Sequence, residues 1–574
     1  MTPTKRLSVV ACMAAAIPAL PAQSASLHLA LPDALVEALT SGAALPDIDA
    51  TAPREPLERL AGPAYADGVA AFAGPNRPDP RTLSNVLSTE NNRKSDVVPF
   101  SNLGVAFFQL IASHEIAHTL TNEAPQEPAP IDLAPDDPLF EAGTYEQIPF
   151  DRSNFDTATG TGPGNPREQV NQITKEFDAS TVYGSTAARE AELRDDTTPY
   201  LLKVGAGGDL PLNAAGRPIA GDGRADENTV LQALHALFVR EHNRIATDIA
   251  ASCKPGCTDQ EVYDGTKILV SRMQHKIFYD EIVPTFLGTD DLTSLIPDGG
   301  PSPADFDPAI FQSFPAAAAR LGHTQVPDTI QTGAPGGPIT STPLKECFFA
   351  AFTGTGCVDG IPEAEKLFGA AQQPAEPIDT DVVDGLRNAQ VPGPTAGFVI
   401  DLKATNILRG RDHGLPDYLT MRQALGFGPS DLDALLPEAV IDAYGDSVLT
   451  DGVDLLVGLF SEFRDPGSYL GPTGKALWAF QLENIRDLVF TFPDASSAMP
   501  FGMSANDAQA LLDDWLDGVS MAGLLSRDTG YDISVWGASP FLVDPLPVPT
   551  PPALAAIVGG LVALGMVRRR RDRT

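Results

Sequence analysis

The spacing of apolar positions is helical through most of the chain. Between Thr229 and Ala251, Leu231, Leu234, Leu237, Phe238 and Ile245 recur at the spacing of one helix face, predicting an amphipathic helix. Thr266 to Pro284 repeats the pattern. Ser101 to Thr121 is apolar all round, as in a helix buried on every side. Ser430 to Tyr444 and Ser504 to Leu516 each begin with a serine able to cap a helix. No run of alternating apolar and polar residues marks a sheet, and no internal repeat is present. The pattern predicts a mainly α fold with a few short β-strands. The 50 glycines and 52 prolines add many ordered connections between the helices.

Composition narrows the class without naming a reaction. The 574 residues are 43% hydrophobic and 20% charged, enough to bury a large core. Net charge is −36, from 39 basic and 75 acidic residues. That excess repels nucleic acid, whose binding needs clustered cations, and it attracts divalent cations.

Both ends differ from the middle. Lys5 and Arg6 precede an apolar run from Leu7 to Leu20, and small residues follow to Ala25, so residues 1–25 read as an export signal. A buried N-terminal helix is the other reading of that stretch. Residues 26–57 have no assigned role; a pro-segment and a wrapping arm both fit. The folded domain is placed at 58–535 and a proline-rich linker at 536–552. Residues 553–574 are an apolar stretch ending in Arg568-Arg569-Arg570-Arg571. As a helix, Ala553 to Val567 spans about 22 Å, short of a ~30 Å hydrocarbon core. Proline motif, short apolar helix and arginines together resemble a PEP-CTERM-type sorting tail of Gram-negative bacteria, although Val548-Pro549-Thr550-Pro551 replaces the usual Val-Pro-Glu-Pro. The resemblance implies an exported protein, secreted or at the cell surface, anchored transiently and handled by sorting machinery. A permanent single-span anchor is the alternative.

Removal of a signal peptide would leave four of the five cysteines, in two local pairs: Cys253/Cys257 and Cys347/Cys357. In an exported chain these predict two short-loop disulfides. A site of four thiolates is the alternative, though neither pair has the Cys-x-x-Cys spacing of zinc ribbons.

A string of motifs carries the chemistry. Gly221-Asp222-Gly223-Arg224-Ala225-Asp226-Glu227-Asn228 runs directly into the helix containing Arg240-Glu241-His242-Asn243. Arg81-Thr82-Leu83-Ser84-Asn85, Phe150-Asp151-Arg152-Ser153 and Pro166 to Thr174 leading to Phe177 to Ser185 come before it. Arg320-Leu321-Gly322-His323 and Arg411-Asp412-His413-Gly414-Leu415-Pro416 come after. In order and number these motifs resemble the animal haem peroxidases (the peroxidase–cyclooxygenase group) over roughly residues 58 to 530.

The resemblance implies a haem b enzyme that reduces hydrogen peroxide and oxidises an organic donor or a halide. His323 is then the iron ligand and Asn406 the partner of its other ring nitrogen, which raises ligand basicity. His114 is the distal imidazole that moves the peroxide proton. Arg224 stabilises charge as the O–O bond breaks. Arg320 and Arg409 are carried over as cofactor-binding residues. Glu227 stands where relatives form an ester to a haem methyl. The second ester position holds Ser113, which has no carboxylate, so at most one ester link is expected.

Two further departures sit beside His114. Relatives place a catalytic glutamine four residues before the distal histidine; Gln109 lies five before, about 100° away around a regular helix. A π-bulge would bring it back. Otherwise halide oxidation is in doubt. Glu115 replaces a calcium-binding Asp. With Thr174, the Glu176 carbonyl, Asp178 and Ser180 it supplies the hard oxygens that suit Ca²⁺. A capped turn without metal is the plainer reading.

Other functions compete. His114-Glu115-Ile116-Ala117-His118 is a literal His-Glu-x-x-His, which on a helix sets two imidazoles on one face, with a glutamate as general base, as in zinc peptidases. The resemblance instead assigns His114 to the haem pocket and His118 to helix packing. Fatty-acid dioxygenases of the same group use a tyrosine shortly before the proximal histidine, and here Ala316 to Ala319 stand there. A catalytically inactive surface protein on the same scaffold is the third alternative.

Overall fold

A computed structural model describes residues 30–40, 54–88, 100–124, 126–253, 256–347, 360–391, 397–492 and 503–543. The whole of the proposed export signal, residues 1–25, and the C-terminal tail from 544 lie outside them. No described helix is long and apolar enough to cross a membrane.

The fold is predominantly helical, in agreement with the periodicity. Nine helices frame it: α1 (Asp33–Leu39), α2 (Pro80–Leu87), α3 (Asn102–Ile111), α4 (Thr229–Ser252), α5 (Asp259–Ile277), α6 (Glu363–Gln372), α7 (Leu402–Asp412), α8 (Pro472–Ile485) and α9 (Ala505–Leu516). Eight short strands form four separate antiparallel pairs. These are β1 (Glu55–Pro56) with β4 (Val170–Asn171), β2 (Ile131–Asp132) with β3 (Gln147–Ile148), β5 (Thr329–Gly333) with β6 (Ile339–Pro343), and β7 (Ala389–Val391) with β8 (Phe398–Ile400).

Helix α3 is the centre. Ser101 caps it by accepting from the Gly104 N–H at 3.0 Å, and every residue from Asn102 to Ile111 except Gln109 is buried. Helices α4 and α6 pack against it, and α4 also packs on α5. Leu234 of α4 is wholly buried at that junction. Truncation of such a side chain to Ala costs about 2–5 kcal/mol. Cys253 and Cys257 form a disulfide where α4 turns into α5, and Thr258 with Glu261 builds a capping box at the start of α5. Cys347 is also disulfide-bonded, to a partner outside the described residues. Trp478 of α8 lies between Phe108 of α3 and Phe314, with ring centroids 4.7 and 4.6 Å away. That stack joins α3 to the segment that leads to His323.

Three helix boundaries differ from the sequence reading. The apolar helix ends at Ile116, not Thr121, and its last five residues, Ala112–Ile116, are a π-helical turn. Helix α5 starts at Asp259, seven residues early, because Thr258 caps it. Ser430 to Tyr444 is not one helix. It divides into a 3₁₀ turn, Leu432–Ala434, and a helix, Glu438–Tyr444. Pro437 is extended between them and has no N–H to continue a ladder. Near the start of the chain, α1 packs on α5 and α9, as an arm would.

Candidate active site

Helix α3 ends where it does because Asn171 intervenes. The Asn171 amide donates to the Ile116 carbonyl at 3.0 Å and accepts from the His118 N–H at 2.8 Å. Those two groups are removed from the helical ladder, and Ala117 is extended at φ −145°, ψ 122°. His114 and His118 therefore do not share a helix face, and the His-Glu-x-x-His geometry needed for zinc is not formed. No cluster of three His, Cys, Asp or Glu side chains suited to a metal occurs among the described residues. Nor does His118 serve helix packing, as the sequence reading had it: it stands beyond the helix end and lines a cavity.

That cavity gathers most of the residues predicted to surround haem, though His114 and Gln109 stand just outside its lining. Ser113, His118, Arg224, Glu227, Arg320, His323, Asn406 and Arg409 line it. A separate surface cleft lined by Asp132, Glu146 and Asp151 holds none of them.

The π-helical turn restores Gln109. One extra residue per turn brings it round to the His114 side, where its Nε2 donates to Glu227 Oε2 at 2.7 Å. Its Oε1 accepts from Asn228 Nδ2 at 3.1 Å, and Asn228 also caps α4 by accepting from the Leu231 N–H. His114 is 1% exposed, and neither ring nitrogen has a hydrogen-bond partner. Its Nε2 lies 3.8 Å from Glu227 Oε2 and its Nδ1 3.7 Å from Asp222 Oδ1.

Asp222 is the residue that sequence reasoning missed. It accepts from Arg224 Nε at 2.9 Å, Nη2 at 2.6 Å and the backbone N–H at 2.8 Å. A second bond runs from Nη2 to the Ser113 carbonyl at 2.7 Å. Arg224 is thus held in one rotamer, with its free edge toward the cavity. Burial would raise the Asp222 carboxyl, but Arg224 and His114 hold it well below the usual range. Burial likewise opposes ionisation of Glu227, and His114 and Arg224 hold its carboxyl below the usual range. Two residues' spacing from Arg224 in a tight turn was the available signal.

On the other side of the cavity, His323 belongs to a short helix, Gly322–Gln325. The Asn406 amide of α7 meets its Nδ1 at 2.7 Å. Burial and then Arg320 push the His323 imidazole down to about 4, so the ring is neutral at physiological pH. Arg320 donates to the Pro315 carbonyl at 2.7 Å and has no carboxylate at ion-pair distance among the described residues. Burial, Arg409 and Arg224 lower it to about 10. Arg409 is paired with Asp412 at 3.0 Å and bonded to Ser153 Oγ at 2.9 Å.

The remaining motifs are scaffolding. Ser153 Oγ lies 2.8 Å from His413 Nε2, and Gln312 Oε1 lies 2.7 Å from its Nδ1. Arg152 pairs with Asp412 at 2.5 Å. Arg81 pairs with Asp401, the cap of α7, at 2.6 Å, so it holds the helix that carries Asn406 and Arg409.

Behind His114, the predicted calcium residues converge. Glu115 is wholly buried; its Oε2 accepts from Ser180 Oγ at 3.2 Å and the Thr181 N–H at 3.0 Å, while Oε1 has no partner. Asp178 Oδ1 accepts from Thr174 Oγ1 at 3.2 Å and the Ser180 N–H at 2.8 Å. Ala179 between them is left-handed at φ 57°, a conformation costing a non-glycine residue about 1 kcal/mol. Burial and the Asp178 charge push the Glu115 carboxyl up to about 8. Burial pushes Asp178 up to about 6, Glu176 adding to the effect against Lys267.

Histidines, arginines and a carboxylate thus surround one slot in a helical scaffold. The profile described as Animal haem peroxidase matches residues 47–492. The chain belongs to the animal haem peroxidase family. It is 30% identical over 482 residues to Dual oxidase of Drosophila melanogaster, covering 76% of this chain and 30% of that one. It is 29% identical over 510 residues to Thyroid peroxidase of Canis lupus familiaris, covering 75% and 52%. Peroxidase A from Dictyostelium discoideum superposes with a TM-score of 0.68 at 22% identity, over 84% of this chain and 94% of that one. The chain thus spans about a quarter to a half of the length of the curated relatives it matches.

Proposed function

We propose that this protein is a haem-dependent peroxidase that reduces hydrogen peroxide with electrons from a small-molecule donor. One observation carries the reading: His114 and the clamped Arg224 adjoin the cavity that His323 also lines.

The residues fit haem. Arg320 has no carboxylate at ion-pair distance among the described residues, and haem brings carboxylates; Arg320 and Arg409 would take them. His323 would hold the iron. The Asn406 amide nitrogen lies 2.7 Å from Nδ1; with the amide flipped, its oxygen would accept from Nδ1–H and leave Nε2 its lone pair for the iron. Bound haem b supplies the iron that binds peroxide and the redox equivalents that the side chains lack.

His114 takes the proton from one peroxide oxygen and returns it to the departing one. Its environment suits that duty, because no fixed hydrogen bond competes for either ring nitrogen. Arg224 stabilises the charge that develops on the departing oxygen, and Asp222 removes the cost of orienting it at that moment. Gln109 holds Glu227 and so fixes the floor on which His114 rests. Glu227 is the one carboxylate placed for an ester link to haem, since Ser113 lacks one.

Calcium belongs to the same reading. Buried Glu115 and half-buried Asp178 are two carboxylates with one oxygen orphaned, which a bound Ca²⁺ would satisfy and ionise. Thr174, the Glu176 carbonyl and Ser180 complete its oxygens. The Cys253–Cys257 disulfide supports an exported protein. The proposed signal peptide and sorting tail complete that picture.

The test is an absorption spectrum of the full chain expressed with haem supply, with elemental analysis for iron, calcium and zinc. Stoichiometric iron and a Soret band that shifts on peroxide addition are expected. A protein that takes up no haem under these conditions ends the proposal.

A further inference from the structure

The break at Ala117 turns His118 out of the helix and onto the wall of the cavity, beside Arg224, Glu227 and Thr119. Among the described residues, no group hydrogen-bonds either nitrogen of its ring; only its backbone is held, by Asn171 and by Gln172. It differs in this from His235, whose Nδ1 meets the Thr181 carbonyl, and from His242, whose two nitrogens are both engaged. His118 is therefore an imidazole lining the cavity opposite the candidate ligand His323, distinct from His114 behind the wall and unused by the peroxide step.

Resting on the peroxidase reading, we propose that His118 is the catalytic residue of the donor half-reaction. It receives the hydroxyl of a phenolic reductant on the cavity wall and takes its proton as the electron leaves. Burial, and then the Arg224 charge, hold the imidazole well below its usual range, so it presents one N–H and one lone pair. A phenol needs that pair of functions. Its O–H bond breaks: the proton passes to the His118 lone pair and leaves with the water formed from peroxide, and the electron would go to the haem that peroxide has oxidised. A phenoxyl radical leaves. Two turns balance one peroxide: H2O2 + 2 ArOH gives 2 H2O + 2 ArO•.

The experiment uses the holoprotein with two donors, guaiacol and ferrocyanide. Guaiacol must lose a proton with its electron; ferrocyanide gives an electron alone. In His118→Phe the ratio of guaiacol rate to ferrocyanide rate should fall at least tenfold. The solvent isotope effect on guaiacol oxidation should disappear. Guaiacol binding to the resting protein, read by difference absorption, should weaken in His118→Phe. His118→Gln, which keeps a hydrogen-bonding side chain but takes no proton, should restore binding and not the rate. An unchanged ratio with the isotope effect intact, in a variant of wild-type melting temperature, overturns the role of His118. A wild-type protein whose spectrum ignores peroxide overturns the peroxidase reading itself, so the two failures are told apart.

Discussion

Asn171 of β4 holds the backbone on both sides of Ala117, 2.8 Å from the His118 N–H and 3.0 Å from the Ile116 carbonyl. This one amide decides whether the histidine pair becomes a helical motif or two separate cavity residues. In Asn171→Ala both backbone groups lose a buried partner, at about 1–3 kcal/mol each. A melting temperature lower by several degrees and reduced haem content are expected, the first by calorimetry and the second by the Soret absorbance. Wild-type values for both would show that Asn171 does not end the helix.

Asp222 should matter to Arg224 more than to the fold. Asp222→Asn keeps the size but removes the charge that clamps the guanidinium. The rate of the peroxide-induced Soret change, followed by stopped flow, should drop about 10- to 100-fold, the usual range for a residue that orients an active group. A rate within twofold of wild type would remove its orienting role.

His323→Ala should abolish axial histidine ligation. Asn406→Ala should leave haem bound but alter its reduction potential, because Nδ1 loses its partner. Spectroelectrochemistry of the two variants checks both. Unchanged ligation in His323→Ala would assign the iron to another residue.

Calcium removal should soften the distal side. At calcium a hundredfold above its Kd, the folded state gains about 3 kcal/mol. Chelation should therefore lower the melting temperature, and Glu115→Gln should make the protein indifferent to added Ca²⁺. A melting temperature equal with and without chelator would leave the loop a metal-free capped turn.

Stability should fall in acid for a stated reason. His242 accepts from Tyr183 at Nδ1 and donates to the Tyr200 carbonyl from Nε2, so it is locked neutral. Burial depresses it to about 3 and His275 to about 4. A depressed histidine contributes fully above the unfolded value of about 6.5, and loses that contribution as pH falls toward the folded value. Each histidine should subtract about 1 kcal/mol per pH unit between roughly 6.5 and 4. Denaturant melts across that window should show the slope, and His242→Gln should flatten it by one proton. An equal slope in that variant would assign the acid lability to other groups.

The sequence by itself determined the helical class, because apolar spacing along α3, α4 and α5 is a local property of the chain. It also singled out the candidate residues, since His114, Arg224, Glu227, His323 and Asn406 each stand in a short motif. It even posed the question of Gln109, one position out of place on a regular helix. Only the tertiary structure answered it, with the π-helical turn at Ala112–Ile116 that returns Gln109 to Glu227. The helix end that places His118 in the cavity and the missing carboxylate for Arg320 were also decided there. The clamp of Asp222 on Arg224 spans two residues, yet it reaches Ser113 more than a hundred residues away. Each of these depends on groups far apart in the chain competing for one another's hydrogen bonds and charges. No local pattern of residues encodes which competitor wins.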